Sequence, residues 1–228
     1  MTKYVVIVLA AGMGKRMKAG ENKQFILLED KPLIVHTLEV FDKDDWCEGI
    51  LLVTREAERK RMDQLLNQYE WKKSIHLVIG GKERQDSVYQ GLKNLTNKEA
   101  IIFIHDGARP FVRHADLHRL AEQASLSQAA LLAVPVTDTI KQKNNELLTT
   151  LDRTTLWAAQ TPQAFTFERI WQAHVAAKQA GVYGTDDASL VERIGHPVEI
   201  VEGSYQNIKI TTPEDLKQAN YISRTDRI

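Results

Sequence analysis

The sequence predicts an α/β fold in a single domain with a mostly parallel central sheet, and three observations support this prediction. Apolar runs of roughly four to eight residues recur without polar alternation, as in strands that are covered on both faces. Amphipathic stretches separate these runs, which gives the strand–helix–strand order of a parallel sheet. No linker rich in Gly, Pro or Ser and no internal repeat divides residues 1–228, so one domain is expected.

The predicted elements follow one another along the chain. Strands are predicted at residues 4–9, 49–54, 75–80, 100–105 and 129–136, and helices at 32–41, 56–69, 87–95 and 116–126. A further helix within 161–181 is expected to end at Gly181, and another over 186–195 to end at Gly195, because glycine readily takes the left-handed conformation that closes helices.

The C-terminal segment is predicted to contain a strand and a helix. NIKIT (207–211) is interpreted as a late strand. Thr212 is a favourable helix cap, Pro213 is a favourable first residue, and acidic residues follow in the first turn. A last helix is therefore expected to begin at Pro213.

Residues 137–156 do not fit this alternation of strands and helices. Thr, Ile and Leu alternate there around the turn-prone Lys143, Asn144 and Asn145, which predicts a β-hairpin. The hairpin has too little apolar surface to form a core of its own. We therefore expect a β-arm, inserted within the domain, that packs on another surface such as that of a second subunit.

The composition is that of an ordinary globular protein and argues against several classes of function. Thirty Lys and Arg balance thirty Asp and Glu, so the net charge gives no indication of nucleic acid or a membrane surface as partner. The one cysteine, Cys47, allows neither a disulfide framework nor a multi-thiolate metal site and is interpreted as a surface or core thiol. No apolar run approaches the ~20 residues of a membrane span, and a cytoplasmic location is expected.

A glycine-containing loop, AAGMGKR (10–16), follows the first predicted strand. It is expected at the carboxyl edge of the sheet, where open α/β sheets bind ligands. Gly12 and Gly14 allow backbone N–H groups to approach an anion, and Arg16 adds positive charge. The loop fits neither a P-loop, whose glycines have four residues between them, nor a dinucleotide fingerprint, whose third glycine would replace Met17. On this evidence alone, an anion-binding loop and a plain structural turn both remain open.

The wider sequence resembles one family of nucleotidyltransferases. LAAGMGKRM (9–17), followed by Lys23, is similar to the signature of enzymes that couple nucleotides to sugar phosphates and isoprenoid precursors. Further blocks narrow the resemblance to the 2-C-methyl-D-erythritol 4-phosphate cytidylyltransferase family, and they follow the family's order over nearly the whole chain. They are GGKERQDSV (80–88), HDGARPF (105–111), VPVTDTIK (134–141) with LDRTTLWAAQTPQAF (151–165), and GTDDASLVE (184–192) with VEGSYQNIKITTPEDL (201–216).

The resemblance implies an enzyme of the non-mevalonate route to isoprenoids. Such an enzyme makes 4-diphosphocytidyl-2-C-methyl-D-erythritol and pyrophosphate from CTP and a polyol phosphate, 2-C-methyl-D-erythritol 4-phosphate. The resemblance also implies a Rossmann-like fold and a requirement for a divalent cation, usually Mg²⁺. It further implies a homodimer in which each β-arm reaches the partner's active site, and the hairpin predicted at 137–156 agrees with this.

The family's motifs assign nucleotide-binding roles by position. The resemblance makes Arg16 and Lys23 the catalytic cations on the triphosphate. The nucleotide-binding positions that it implies are Ala10, Ala11, Gly12, Gly14, Gly80, Gly81, Lys82, Ser87 and Asp106. Family members often carry an acid at the position of Lys82. Selection of CTP is expected to survive if the backbone of this turn reads the base, and it is in doubt if the acidic side chain takes part. Without the resemblance, Gly80 and Gly81 indicate only a tight turn.

A second set of residues is implied for the acceptor substrate. By resemblance its members are Asp106, Arg109, Thr139, Arg153, Thr161 and Lys209. Of these, Arg153 and Lys209 are the catalytic ones, and Thr139 and Arg153 come from the partner's arm. Asp106 is also implied to lie close to Mg²⁺, and Gln163 to lie at the same site.

Several of these residues allow simpler interpretations when taken alone. Asp106 also fits a turn with a nearby ion pair. Thr161 and Gln163 also fit the start of a helix. Asp186 and Asp187 fit a metal pair, but acids in the first turn of a helix more often interact with the helix dipole.

Three rival functions follow from the same sequence. Ribitol-5-phosphate cytidylyltransferase shares several blocks, although Asp152–Trp157 and GTDDASLVE (184–192) are more similar to the methylerythritol enzyme. A catalytically silent nucleotide-binding module would keep the glycine loop and lose the cations, which are all present here. A nicotinamide-dependent dehydrogenase is disfavoured because the third glycine of its fingerprint is missing.

Overall fold

A computed structural model describes residues 2–12, 22–145 and 147–225 of the chain. Its strands are β1 (Tyr4–Leu9), β2 (Leu27–Leu28), β3 (Lys31–Pro32), β4 (Cys47–Thr54), β5 (Ile75–Ile79), β6 (Ile101–Asp106), β7 (Ala129–Pro135), β8 (Lys141–Asn144), β9 (Leu147–Thr150), β10 (Trp157–Phe165) and β11 (Glu199–Glu202). Its helices are α1 (Leu33–Asp42), α2 (Arg59–Leu66), α3 (Arg84–Lys93), α4 (His114–Ser127), α5 (Phe167–Ala180), α6 (Asp187–Arg193) and α7 (Pro213–Thr225).

Seven of these strands form one central sheet, in the order β11-β7-β10-β6-β1-β4-β5. Neighbouring strands are parallel except at β10, which runs antiparallel to both β6 and β7. The five strands predicted from apolar runs correspond to β1, β4, β5, β6 and β7. The predicted α/β class with a mostly parallel sheet is therefore confirmed.

Both faces of the sheet are covered by helices, which explains the unbroken apolar runs. In β1, Tyr4, Val6 and Val8 belong to the core on the side of α1 and α4, whereas the alternate residues belong to the core on the side of α3 and α5. Leu38 of α1 lies in the first core, and Leu92 of α3 lies in the second. A strand buried on both faces needs apolar side chains at every position, and this removes the alternation seen in half-exposed strands.

The sequence analysis missed strand β10 in the middle of the sheet, as well as the edge strand β11 and the short strands β2 and β3. The interpretation of Thr161 and Gln163 as a helix start is therefore wrong. Pro162 stands in this central strand, a position that usually argues against a strand because proline cannot donate to the ladder. The register of β10 against β7 shifts between Ala159 and Gln163, so the irregularity falls at the proline. The buried polar side chains beside it find partners elsewhere: Gln160 Nε2, for example, donates to the carbonyl oxygen of Ser204 at 2.9 Å.

The helix ends follow the expected capping chemistry. Gly181 and Gly195 have φ values of +65° and +78°, in the left-handed region predicted for them. Thr212 Oγ1 accepts the N–H of Asp215 at 3.2 Å, which confirms the cap before α7. Helix α3 begins at Arg84, three residues before the predicted start, because Glu83 and Asp86 form a reciprocal capping box there.

The interpretation of NIKIT (207–211) as a strand is wrong, because β11 (Glu199–Glu202) is the last strand and residues 207–211 belong to no sheet. This segment is held instead by single hydrogen bonds, such as the N–H of Ile210 to the carbonyl oxygen of Ala108 at 2.9 Å. Its apolar residues Ile208 and Ile210 pack in a small core with Ala108 and α7.

The hairpin of residues 137–156 is present as the antiparallel pair β8 and β9, which forms a sheet of its own. All the residues of both strands are exposed, and Leu147 and Leu148 are 74% and 65% exposed. None of the helices described in the structure is long and apolar enough to cross a membrane.

Cys47 lies in the core, at 3% exposure, and its environment predicts an unreactive thiol. Burial raises the pKa of the Cys47 thiol to about 12. Because the thiolate is the reactive species, we expect the native protein to react with dithionitrobenzoate at least ~100-fold more slowly than the chain unfolded in urea. Absorbance stopped-flow measurements on both states test this, and equal rates would contradict it.

Candidate active site

A cavity of about 370 Å³ opens at the carboxyl ends of β1, β5 and β6. It is lined by Leu9, Ala11, Gly12, Lys23, Gln24, Gly81, Lys82, Glu83, Arg84, Ser87, Asp106, Gly107, Ala108 and Lys209. This is the edge at which open α/β sheets bind ligands. The structure therefore brings together residues as far apart in the sequence as Leu9 and Lys209.

The turn after β5 forms one wall of the cavity, and Ser87 fixes its shape. The N–H of Gly81 donates to Ser87 Oγ at 3.2 Å, and the Ser87 hydroxyl donates to the carbonyl oxygen of Glu83 at 3.1 Å. A Cβ atom at Gly80 would lie 2.7 Å from Ser87 Oγ, so this position has no room for a side chain. Ser87 thus holds the turn from within, while Lys82 is exposed at its tip.

Replacing Gly81 by alanine is expected to distort this wall. The new Cβ would lie 2.3 Å from the Cβ of Asp86, which caps the start of α3. We expect a loss of about 1–3 kcal/mol in the free energy of unfolding and a raised KM for the nucleotide, since the turn must move away from α3. Denaturant titration and steady-state kinetics measure the two effects. Gly49→Ala is the matched control, because a Cβ there meets nothing within 4 Å.

Asp106, at the end of β6, is surrounded by three cationic side chains. Lys209 Nζ lies 2.7 Å from Oδ2, Arg109 Nε lies 3.8 Å from the same oxygen, and Arg84 Nε lies 3.7 Å from Oδ1. Burial on its own would raise the pKa of Asp106, but Lys209, followed by Arg84 and Arg109, outweighs burial and holds the pKa well below its usual range. The carboxylate is therefore ionised at neutral pH, and the cluster as a whole keeps excess positive charge.

A chain of hydrogen bonds behind the cavity fixes the backbone on both sides of Asp106. His105 Nε2 lies 3.0 Å from the carbonyl oxygen of Arg109 and must donate, because a carbonyl only accepts. Burial lowers the pKa of His105 to about 4, so Nδ1 is free to accept from the Thr161 hydroxyl at 3.3 Å. Thr161 Oγ1 in turn accepts the N–H of Asp106 at 3.0 Å. The Thr161 hydroxyl therefore faces β6, and Thr161 does not line the cavity.

Lys23 enters the cavity from the segment that follows the glycine loop. Lys23 is only 9% exposed, and its Nζ donates to the carbonyl oxygen of Ile210 at 3.1 Å. Arg109 Nη1 donates to the carbonyl oxygen of Asn207 at 2.6 Å and does not line the cavity. These contacts tie residues 207–210 to the cavity wall and hold Lys209 beside Asp106.

The remaining residues implied by the sequence lie elsewhere. Gly14 and Arg16 lie outside the described residues. Ala10 and Gly80 are sequence neighbours of residues that line the cavity, but they do not line it themselves. Thr139 and Arg153 lie at the base of the hairpin, where Arg153 Nη1 donates to the carbonyl oxygen of Thr137 at 2.7 Å and both residues are exposed.

Gln163 and the acidic pair after it serve the start of α6. Gln163 Oε1 accepts the N–H groups of Asp187 and Ala188, and Asp186 Oδ1 accepts the N–H of Ser189 at 2.9 Å. Asp187 pairs with basic side chains rather than with a second acid. Within residues 2–12, 22–145 and 147–225, no three His, Cys, Asp or Glu side chains form a group that could hold a metal ion.

Arg84 lines the cavity and was not identified from the sequence. It lies in the GGKERQDSV (80–88) block, but an arginine at a helix start is usually a solvated charge. Its significance depends on two carboxylates, Asp106 and Asp187, that are distant in the sequence. Only the folded chain brings the three together.

Comparison with known proteins identifies the family to which this site belongs. The family profile described as 2-C-methyl-D-erythritol 4-phosphate cytidylyltransferase matches residues 4–225. The chain belongs to this family. A 2-C-methyl-D-erythritol 4-phosphate cytidylyltransferase from Geobacillus kaustophilus is 58% identical over 220 residues, which is 96% of each chain. One from Halalkalibacterium halodurans is 52% identical over 221 residues, again 96% of each.

Solved structures of cytidylyltransferases from this family have the same fold. The 4-diphosphocytidyl-2C-methyl-D-erythritol synthase of Anaerococcus prevotii matches with a TM-score of 0.86 at 27% identity, over 98% of this chain and 96% of the other. The 2-C-methyl-D-erythritol 4-phosphate cytidylyltransferase of Thermus thermophilus matches with a TM-score of 0.79 at 31% identity, over 98% and 100%. The family resemblance seen in the sequence motifs is thereby confirmed.

Proposed function

We infer that this chain transfers the cytidylyl group of CTP to 2-C-methyl-D-erythritol 4-phosphate and releases pyrophosphate. Its membership of the family over residues 4–225 is the observation that carries this conclusion. The cavity supports it, because glycine-rich backbone, Lys23 and Lys209 line a space suited to phosphate groups. Because the family consists of cytidylyltransferases, membership also disfavours the alternative of a catalytically silent nucleotide-binding module.

The reaction requires alignment and charge neutralisation rather than an activated nucleophile. A phosphate oxygen of the acceptor forms a bond to the α-phosphorus of CTP, and the bond from that phosphorus to the bridging oxygen of pyrophosphate breaks. A phosphate monoester has its second pKa near ~6, so the attacking group is already largely a dianion at neutral pH. No general base is needed, and the protein's task is to hold two anions together and stabilise the added charge.

The residues around the cavity divide this task between the two substrates. Gly12 lets the backbone approach the nucleotide closely, the turn at Gly81 forms the wall beside it, and Lys23 neutralises its triphosphate. Lys209 holds the acceptor's phosphate, and Asp106 orients Lys209 through the 2.7 Å ion pair. Arg16, which lies outside the described residues, is proposed as a second cation on the triphosphate by its position in the family motif.

A divalent cation, with Mg²⁺ as the expected one, is proposed to enter with the triphosphate. Mg²⁺ is usually held by one or two carboxylates together with substrate phosphates. Asp106 is the carboxylate that the family motif implies for the ion, but its oxygens already face three cationic side chains, so the phosphates of the nucleotide would supply most of the ligands. When bound, the ion would neutralise phosphate charge.

The hairpin is proposed to pack on a second copy of the chain. Its strands β8 and β9 are exposed on both faces, and a two-stranded hairpin of this kind is not stable by itself in water. Leu147 and Leu148 near its tip are exposed apolar side chains, one on each face of the hairpin, as expected of an element that is covered by a partner. In such a dimer, Thr139 and Arg153 are proposed to reach the acceptor in the partner's cavity.

An assay of pyrophosphate release with matched acceptors tests the substrate assignment. We expect release with CTP and 2-C-methyl-D-erythritol 4-phosphate, and a much lower kcat/KM with ribitol 5-phosphate. Replacing CTP by UTP or ATP should lower the rate, which also tests whether Lys82 is compatible with cytosine selection. A preference for ribitol 5-phosphate would overturn the assignment.

A further inference from the structure

We propose that Asp187 and His174, which lie outside the cavity, are positioning residues that orient Arg84 and, through Arg84, the Asp106–Lys209 pair. This inference rests on the proposed function, because it concerns the same reaction. It gives a role to Arg84, a charged side chain that lines the cavity, and to the two buried residues that hold it.

Arg84 is placed to link two carboxylates. As the first residue of α3 it lies beside the capping box of Glu83 and Asp86, which fixes the start of the helix. Its Nη1 donates to Asp187 Oδ2 at 2.6 Å, while its Nε lies 3.7 Å from Asp106 Oδ1, an ion-pair distance rather than a hydrogen bond. A planar guanidinium can address two partners at once, which a lysine ammonium on its flexible chain does with much less geometric precision.

Asp187 is held more firmly than Arg84. Its side chain is 1% exposed, and its second oxygen, Oδ1, lies 3.1 Å from His174 Nε2, which is equally buried. Its backbone N–H donates to Gln163 Oε1 at 3.1 Å, so the residue is fixed from both ends. Neither Asp187 nor His174 lines the cavity of about 370 Å³. Of the side chains that contact Asp187, Arg84 is the one that lines the cavity, so the guanidinium is the direct connection from Asp187 to the site.

The position of Arg84 in turn affects the orientation of the Asp106 carboxylate. Of the three cations described around this carboxylate, Lys209 and Arg109 face Oδ2 and Arg84 faces Oδ1. If the anchor at Asp187 loses its charge, the attraction of Arg84 to Asp106 is no longer balanced by the Arg84–Asp187 ion pair, and the guanidinium is drawn into the cavity. The Asp106 carboxylate then shifts, and Lys209 moves away from the position from which it holds the acceptor's phosphate.

The Asp187→Asn variant tests the proposal, with kinetics measured at a temperature where circular dichroism shows the fold to be intact. We expect kcat/KM for the polyol phosphate to fall by about 10- to 100-fold, since small displacements of positioned groups have effects of this size. The KM for CTP should change less. Asp116→Asn is the matched control, because Asp116, like Asp187, is a buried acid near the start of a helix and pairs with basic side chains. Its partners are two arginines, at 2.9 and 2.6 Å, and it lies on α4, away from the cavity. That control should lose stability without losing activity.

The double variant Arg84→Gln/Asp187→Asn separates positioning from stability. Removing both charges abolishes the buried carboxylate that Arg84→Gln leaves without its arginine partner, so Tm should recover partly relative to Arg84→Gln. Activity should stay at the level of Arg84→Gln, because Asp187 has no effect once the guanidinium is gone. Activity that recovers together with Tm would overturn the proposal. Wild-type rates in Asp187→Asn would overturn this inference alone, whereas a wild-type protein that releases no pyrophosphate would overturn the proposed function with it.

Discussion

Replacing Lys23 by alanine is expected to lower kcat about 100- to 1,000-fold, the usual cost of removing one preorganised donor from a developing charge. Lys23 lines the cavity at 9% exposure, so its ammonium acts on the triphosphate where water screens it poorly. The negative charge on the leaving pyrophosphate grows in the transition state, and the loss should therefore fall mainly on kcat. Single-turnover measurements with CTP and the polyol phosphate give this rate directly.

The control for this experiment must distinguish the loss of a lysine in the cavity from the loss of a lysine elsewhere in the protein. Lys31→Ala removes an ammonium that pairs with Glu39 at 2.6 Å on α1, away from the cavity. A partly exposed pair of this kind contributes about 1 kcal/mol or less to the free energy of unfolding, and its removal should leave kcat unchanged. Turnover by Lys23→Ala at the wild-type rate would remove Lys23 from the mechanism.

The parts of the fold that were predictable are those whose signal is local. Strands such as β1 and β4 are continuous apolar runs because both of their faces are buried, and a short window of sequence contains that information. Helix ends such as Gly181 and Thr212 depend on the conformational preference or the side chain of a single residue. These features were identified correctly for that reason.

Strand β10 shows why local signals fail near the site. Gln160, Thr161, Pro162 and Gln163 form a polar stretch with a proline, and every local preference argues against a central strand. The strand is stable because its polar groups bond to distant segments, such as the N–H of Asp106 to Thr161 Oγ1. Such compensation is invisible in the sequence, since the partners are more than 40 residues away in the chain.

The site residues also divide into those with a local sequence signal and those that depend on distant segments. Asp106 and the glycine turn could be identified because they come directly after strands, at the edge where ligands bind. Arg84 and Asp187 could not, because each depends on the other across 103 residues of chain. The motifs of the family identified the block that contains Arg84 but gave no role to the residue itself.

Mixing two inactive variants is expected to restore activity if the hairpin completes the partner's site. Lys23→Ala disables its own cavity and keeps a functional arm, whereas Arg153→Ala keeps its own cavity and lacks the arm's guanidinium. A hybrid dimer then contains one cavity with both groups intact. After subunit exchange at equal concentrations, activity should rise to about a quarter of the wild-type rate, since half of the re-paired dimers are hybrids with one working site each. Pyrophosphate release before and after exchange measures the gain.

The alternative geometry gives the opposite result, which makes the mixture decisive. If Arg153 served the cavity of its own chain, every cavity in a hybrid would lack either Lys23 or Arg153, and mixing would restore nothing. A second mixture tests the same geometry in the opposite direction: after exchange with wild type, the Lys23→Ala/Arg153→Ala double variant should lower activity from about a half to about a quarter of the undiluted wild-type value, because each hybrid pairs the intact cavity with a defective arm. If Arg153 served its own chain, this activity would stay at about a half. The exposed position of Arg153, at the base of a hairpin that has no core of its own, is what leads us to expect the first outcome.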